Sequence, residues 1–214
     1  IPFHCDATQW IGKLSFEDFS LCTSFSASAH KFSGPKGMGW LASKEPIQMQ
    51  KGGGQEGNLR GGTENVPGII SMLSAWKEVR FNVAALKDQV SWRDQFELDL
   101  KKAVPGVKIL GSKVQRLWNT SFFVVPDYNN LSWVGKLDKM GFSVATGSAC
   151  STNKLGYSSI ASSMGLSKNE TSRLIRVSSY FEQTQADWCN LANAFSQAWE
   201  ELQLEASRSS VISI

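Results

Sequence analysis

The sequence has little net charge, few cysteines and no long apolar run, and each shortage excludes a class of protein. Its 22 basic and 19 acidic residues leave a formal charge of +3 and are scattered along the chain, which does not indicate a nucleic-acid-binding face. The four cysteines form no CxxC pair and lie far apart, so neither a zinc site nor a secreted disulfide framework is indicated. No apolar stretch reaches the roughly 18 residues of a membrane span, and no signal peptide is evident. We therefore expect a cytoplasmic protein with no metal site, no membrane partner and no direct nucleic-acid partner.

What the sequence does contain is enough apolar material for a globular fold. Hydrophobic residues make up 42% of the 214 residues, and charged residues 19%. A chain of this length folds as one large domain or as two small ones. It begins "IPFHCDATQW", without an initiator methionine and in what reads as the middle of a strand, so we expect a fragment of a longer protein.

Short apolar runs between turn residues predict strands in the first part of the chain. They are "IPFH", "LCTSFS" and "GMGWLA", each of strand length. From Pro67 onward, apolar residues recur every three or four positions. This spacing predicts a long amphipathic helix, broken near Trp92 and ending before Pro105. We take residues 1–90 as one domain with its connecting helix.

Strand and helix patterns alternate in the second part of the chain. "NTSFFVV", "FSVA" and "LIRVS" predict strands, and "LSWVGKLDKM" predicts a helix that ends before Gly141. Thr184 and Asp187 resemble a capping box at the start of a last helix. That helix has a core-facing apolar stripe: Trp188, Leu191, Phe195, Trp199 and Leu202. We interpret residues 91–214 as a smaller α/β domain.

One lysine lies in a glycine-rich turn, "SASAHKFSGPKGMG", at residues 26 to 39. Glycine lets backbone and ligand approach closely, and a desolvated lysine has a lowered pKa and a nucleophilic amine that condenses with an aldehyde. The same stretch is also compatible with a surface turn of solvated lysines. Lys31 alone does not decide between these interpretations.

Residues near this turn add groups that could bind a ring and a phosphate. "DATQ" places Asp6 and Gln9 at the end of a predicted strand, where α/β sheets often bind ligands. An aspartate there could keep a pyridinium nitrogen protonated, as pyridoxal phosphate requires. Ser28 and His30 offer donors suited to a phosphate. Taken singly each is weak, because Asp6 is equally compatible with a turn or cap.

Four motifs in this order and spacing resemble the cysteine desulfurases of the class V aminotransferase group of pyridoxal phosphate enzymes. They are "DATQ", "SAHKFSGPKGMG", "GGGQEGNLRGGTENVPGI" and "ATGSACSTNK", and the resemblance extends from Phe3 to about Gln185. It implies an α/β fold of the aspartate aminotransferase type, fold type I. The chain would carry the second half of the large cofactor-binding domain, with mixed and parallel strands, followed by the smaller C-terminal domain.

The resemblance implies a role for each residue of the cofactor site. Lys31 would form the covalent link to pyridoxal phosphate, and Asp6 would partner the pyridine nitrogen. Gln9 would contact the phenolic oxygen of the ring, while Ser28 and His30 would hold the phosphate.

The same resemblance implies a homodimer and a site for L-cysteine. The family's phosphate site is completed by a threonine of the partner subunit, which corresponds to Thr63. Arg176, in "LIRVS", would bind the substrate carboxylate with its planar guanidinium, although an exposed strand charge is the alternative. Arg60, near Thr63, could bind an anion, although it is also compatible with a solvated surface charge.

The cysteines differ in their surroundings. Glycine, serine and alanine around Cys150 indicate an exposed loop, which suits a nucleophile. Cys5, Cys22 and Cys189 lie in apolar strands or a helix, so we expect them to be buried and inert. By resemblance, Cys150 would take the substrate sulfur as a persulfide, release alanine and pass the sulfur to an acceptor, either a scaffold or a sulfur-carrier protein.

The chain departs from the family pattern in three respects. "KLGYSS" stands where the family has an acidic residue and a proline after the cysteine loop. Tyr180 and Phe181 stand where the family has glycine and arginine, which changes the wall of the substrate pocket. The family's first half, with a second phosphate-binding loop and a histidine that stacks on the ring, is absent. We therefore expect this chain alone to bind pyridoxal phosphate weakly or not at all.

Two other functions remain open from the sequence. One is a class V aminotransferase or lyase that acts on a different amino acid, against which the thiol of Cys150 argues. The other is a non-catalytic fragment that retains a dimerisation or partner-binding surface, which the absent half favours.

Overall fold

The computed structural model describes residues 1–14, 20–82, 86–147 and 159–211. The chain divides into two compact units, Ile1–Leu86 and Lys87–Ile214. Each unit combines strands with helices, as the sequence predicts. The assignment of residues 1–90 and 91–214 to a large and a small domain stays a prediction. None of the described helices is long and apolar enough to span a bilayer.

The first unit contains a three-stranded sheet in the order β1-β2-β3. Strand β1 (His4–Asp6) is parallel to β2 (Ser24–Ser28), and β2 is antiparallel to β3 (Gly39–Ser43). Each strand overlaps one of the apolar runs that the sequence analysis singled out, although β1 shares only His4 with "IPFH" and extends beyond it to Asp6. The chain therefore has three strands near the predicted places, with β1 displaced toward Asp6.

Helix α1 (Val66–Asn82) completes the first unit. It buries Met72, Ala75 and Val79, which recur at the three-to-four-residue spacing of one helix face. Its Trp76 ring lies 4.7 Å from that of Trp40 on β3, as measured between ring centroids. Helix and sheet are therefore held together by aromatic packing.

The second unit contains an antiparallel sheet in the order β4-β5-β6, together with five helices in its described part. The strands are β4 (Lys108–Ile109), β5 (Thr120–Val124) and β6 (Leu174–Ser178). The helices are α2 (Lys87–Ala103), α3 (Asn130–Lys139), α4 (Ser159–Ser163), α5 (Lys168–Thr171) and α6 (Gln185–Val211).

Both faces of this second sheet are covered by apolar side chains. Successive residues of a strand point to opposite faces, so Phe123 enters the main core with α2, α3 and α6, while Val124 enters a smaller cluster with Leu174. The predicted stripe of α6 is confirmed as core: Trp188, Leu191, Phe195 and Leu202 are buried, and Trp199 packs against them. Thr184 and Asp187 cap α6 reciprocally, as predicted.

Two sequence predictions of secondary structure are wrong. Helix α1 ends at Asn82 and α2 begins at Lys87. The predicted long helix is therefore interrupted there, and not near Trp92, which lies within α2. "FSVA" does not form a strand, because it pairs with the sheet through a single bridge from Ala145 to Arg176.

Candidate active site

The candidate site lies at the carboxyl edge of the first sheet. Because β1 and β2 are parallel, with Asp6 opposite Ser26, the residues that end these two strands lie at the same edge. Asp6 ends β1, and Ser28 ends β2. A short turn of 3-10 helix, Ala29–Lys31, follows Ser28 directly. The topology thus brings Asp6, Ser28 and the Lys31 turn to the edge where α/β sheets bind ligands.

Asp6 is an exposed carboxylate held by the turn that follows it. The Thr8 backbone N–H donates to its Oδ1 at 3.0 Å. Hydrogen bonding by Thr8 lowers the pKa of Asp6, and the nearby charge of His4 lowers it further. Asp6 is therefore ionised at neutral pH and suited to a cationic partner.

Lys31 is half-buried, which distinguishes it from a solvated surface lysine. Its neighbours fix the backbone, since Ala29 and Phe32 are fully buried on either side of it. The Phe32 ring lies 5.5 Å from Trp40 between ring centroids. The chain then reverses so tightly that the Gly34 N–H donates to the Ala29 carbonyl at 2.8 Å.

The predicted need for glycine after Lys31 has a steric basis at Gly34. A Cβ at Gly34 would lie 2.8 Å from the Ala29 Cβ and 3.0 Å from its carbonyl oxygen. Any larger residue would therefore push the turn apart.

The structure adds a residue that the sequence analysis missed, Lys13. Its side chain is buried, and its Nζ donates to Gln9 Oε1 at 3.0 Å and to the Lys31 carbonyl oxygen at 3.3 Å. Burial lowers the pKa of Lys13 to about 8, and the charge of Lys31 acts in the same direction. The one signal in the sequence is its position four residues after Gln9 and next to Gly12, within the turn that follows β1. Gln9 and Lys31 are thus joined through one ammonium group.

The predicted phosphate-binding residues are accessible to a ligand. Ser28 is half-buried and His30 is exposed, on either side of Ala29. The Ser28 side chain forms no capping hydrogen bond to the turn that follows. Thr63 is exposed in the loop between β3 and α1. Its role against a partner subunit stays a prediction.

Arg176 belongs to the second unit, where its backbone is held on both sides. It lies opposite Phe122 of β5, and its N–H donates to the Ala145 carbonyl at 2.7 Å. The Arg176 side chain is half-buried. Cys150 lies outside the described residues, so its predicted role stays a prediction.

Tyr180 and Phe181, which depart from the family pattern, form an aromatic cluster with Trp118. The two rings pack edge to face at 4.9 Å, and Phe181 lies 5.6 Å from Trp118, both measured between ring centroids. Tyr180 borders a cavity of about 510 Å³. Trp188 also lines this cavity, and its buried indole N–H has no hydrogen-bond partner in the described part of the chain.

The three other cysteines do not share one environment. Cys22 is buried, as expected, and Cys5 is half-buried. The expectation for Cys189 is wrong, because its side chain is exposed. It lies on the outer side of α6, since the preceding residue, Trp188, takes the core-facing position.

The sequence model of the Aminotransferase class-V family matches residues 1–191. The chain belongs to this family. The prediction made from the four motifs is thereby confirmed.

Curated relatives of the chain bear the name cysteine desulfurase. One from Sinorhizobium fredii (strain NBRC 101917 / NGR234) is 35% identical over 182 residues, which are 82% of this chain and 47% of the relative. Cysteine desulfurase IscS of Dictyoglomus turgidum (strain DSM 6724 / Z-1310) is 34% identical over 174 residues, which are 78% of this chain and 43% of the relative. The chain thus spans about half the length of the curated relatives it matches.

Two solved structures support the predicted fold. A NifS-like protein from Rickettsia africae ESF-5 is 26% identical and superposes with a TM-score of 0.80, over 93% of this chain and 54% of that one. A second NifS-like protein gives a TM-score of 0.79 at 27% identity, over 95% of this chain and 53% of that one. The predicted α/β fold is therefore confirmed.

Proposed function

We propose that the chain is part of a pyridoxal phosphate-dependent cysteine desulfurase. The observation that carries the proposal is that Asp6 and the Lys31 turn lie at the carboxyl edge of β1 and β2, while Lys13 bonds both the Gln9 side chain and the Lys31 backbone. Relatives named cysteine desulfurase support the reaction class.

The chemistry of these residues fits the cofactor. Lys31 supplies a half-buried amine for an aldehyde, and Asp6 supplies a carboxylate that stays ionised beside a protonated ring nitrogen. Ser28 and His30 would hold the phosphate, and Gln9 the phenolic oxygen. Pyridoxal phosphate, when bound, supplies an electron sink for the substrate's Cα.

The chain's own residues would then share the work on L-cysteine. Arg176 binds the substrate carboxylate through its two parallel N–H groups. The Lys31 amine takes the proton from Cα. The Cys150 thiolate attacks the substrate sulfur, and the carbon–sulfur bond breaks with its electron pair left on carbon. Protonation of Cβ and return of a proton to Cα give alanine, and the sulfur stays on Cys150 as a persulfide.

The partners of this reaction follow from the same proposal. A protein acceptor, either a scaffold or a sulfur carrier, would receive the persulfide sulfur for the synthesis of iron-sulfur clusters, thio-cofactors or thiolated tRNA. Thr63 of one subunit would complete the phosphate site of a homodimer. We place the protein in the cytoplasm.

The proposal is tested by trapping the cofactor on the chain. Borohydride reduction makes a covalent lysine adduct permanent, so it captures any adduct that forms, even where this chain alone binds the cofactor only weakly. Peptide mass mapping should place the adduct at Lys31, and Lys31→Arg should remove it. Equal labelling of exposed lysines such as Lys77, with no preference for Lys31, would contradict the proposal.

A non-catalytic fragment with a partner-binding surface is a second candidate function, and a lyase that acts on another amino acid is a third. Sulfide release from L-cysteine separates them: a desulfurase loses it on Cys150→Ser, a lyase keeps it, and a non-catalytic fragment has none in either form.

A further inference from the structure

Lys13 lies between two groups of the candidate active site although it is almost completely buried. Its exposed fraction is 7%, and burying an ammonium group is unfavourable unless acceptors surround it. Among the described residues, acceptors of this ammonium group include the Gln9 side-chain oxygen at 3.0 Å and the Lys31 backbone oxygen at 3.3 Å. These contacts connect Lys13 to the candidate active site.

The contact with Gln9 fixes which way its side-chain amide faces. An ammonium group donates three hydrogen bonds and accepts none, whereas an amide accepts through oxygen and donates through nitrogen. Only the oxygen end of Gln9 can therefore face Lys13, since turning the amide round would oppose two donors. The Nε2 group of this exposed residue is left to donate elsewhere.

We propose that Lys13 is a positioning residue that holds the Gln9 amide as a hydrogen-bond donor toward an anionic oxygen of the cofactor. This inference rests on the proposed function. The phenolic oxygen that Gln9 would contact needs a donor, and a freely rotating amide would offer its oxygen half of the time. Lys13 also bonds the backbone of Lys31, which would form the covalent link. One ammonium group therefore fixes the position of Gln9 relative to Lys31.

The first test measures the order of the Gln9 amide in the chain without cofactor. We compare Lys13→Met, which keeps most of the length of the side chain but no donor, with Lys13→Arg, which keeps a donor. Lys77→Met, at an exposed position on α1, controls for the loss of one charge. The readout is the nitrogen-15 order parameter of Gln9 Nε2.

Loss of the donor should free the amide. We expect an order parameter close to the rigid value of about 0.85 in the unsubstituted chain and in Lys77→Met, and one below about 0.6 in Lys13→Met. Lys13→Arg should restore most of the order. An equally ordered amide in Lys13→Met, with the chain folded, would overturn the proposal.

A second measurement covers the case in which Lys13→Met does not fold. In the unsubstituted chain, the Nε2 resonance of Gln9 should shift as the Lys13 ammonium loses its proton, with a midpoint near pH 8. Lys31 is the charged neighbour that also acts on Lys13, so the side-chain carbon signals of both lysines are followed together. A Gln9 resonance that does not follow Lys13 also overturns the proposal.

A third measurement connects the amide to the cofactor. Borohydride trapping at Lys31 with pyridoxal phosphate should fall about tenfold in Lys13→Met, which is the loss of one well-placed hydrogen bond, and should not fall further when Gln9→Leu is added. Independent losses in the two variants would mean that Lys13 does not act through Gln9. Labelling spread over exposed lysines in every variant, with no preference for Lys31, would contradict the proposed function, while the order of the amide still decides the role of Lys13.

Discussion

Replacing Glu97 with alanine is expected to destabilise the second compact unit by about 3 kcal/mol. The Glu97 carboxylate is buried on α2, where it accepts two parallel bonds from Arg116, at 2.7 and 2.9 Å. It accepts a third bond, at 2.7 Å, from the hydroxyl of Ser121, which is fully buried on β5. One carboxylate thus links a helix, a loop and a strand.

The magnitude follows from what the substitution leaves behind. Removing one partner of a buried ion pair costs about 3–5 kcal/mol, because the other charge stays desolvated and unpaired. We take the lower end for two reasons. The Arg116 side chain is 16% exposed, and Asp94 remains 3.8 Å from its guanidinium. The buried Ser121 hydroxyl loses its acceptor as well, which keeps the loss from being smaller.

Peptide-resolved hydrogen exchange on the full chain reports on this unit separately from the first. A loss of about 3 kcal/mol should lower the protection of the β5 amides by about two orders of magnitude. Asp99→Ala is the matched control, since it removes a carboxylate from the same helix. The ion-pair partner of Asp99, Lys102, has a side chain that is 75% exposed, so this substitution should lower the stability by less than about 1 kcal/mol. Equal effects of the two substitutions would refute the reasoning.

Two further predictions concern acid stability and thiol reactivity. Hydrogen bonding by Lys108, and then by Ser167, lowers the pKa of Glu170 to about 2. Because the pKa of this carboxyl group is lowered in the folded chain, its ionised form stabilises the fold above the unfolded-state pKa, and this stabilisation is lost as the pH falls toward 2. Glu170→Gln should therefore reduce the slope of the melting temperature against pH between pH 5 and pH 2. An unchanged slope would contradict this prediction. Iodoacetamide should alkylate exposed Cys189 in the folded chain and buried Cys22 only after unfolding, and peptide mass mapping that finds both modified at the same rate would contradict the assigned burial.

The strands of the first unit could be located because each overlaps a short apolar run between turn residues, although β1, His4–Asp6, lies mostly beyond its run. The prediction is wrong for "FSVA", because a strand needs a partner along its whole length and this segment pairs through Ala145 alone. Strand β4, Lys108–Ile109, is too short to leave a pattern. The break between α1 and α2 escapes notice for another reason, since apolar residues keep their spacing across it.

Some residues of the candidate site could likewise be predicted from the sequence, and others could not. Asp6, Gln9 and Lys31 could be found because their chemistry and order form a motif. Burial has no such signature, so the exposed side chain of Cys189 and the buried side chain of Lys13 both contradict what their residue types suggest. Such positions are decided by which parts of the chain pack against them.

Gly12 accounts for the burial of Lys13. Its φ of 81° lies in the left-handed region that favours glycine, and a Cβ there would lie 2.6 Å from the Cβ of Phe32 and 3.0 Å from a methyl group of Val79. The turn after β1 can therefore press against Phe32, the residue next to Lys31, only because position 12 has no side chain. This close approach carries the next residue, Lys13, under the Lys31 turn and within hydrogen-bonding distance of the Lys31 carbonyl. A glycine outside the lysine motif thus sets the geometry of the site, and its effect depends on a contact with a residue twenty positions later in the chain.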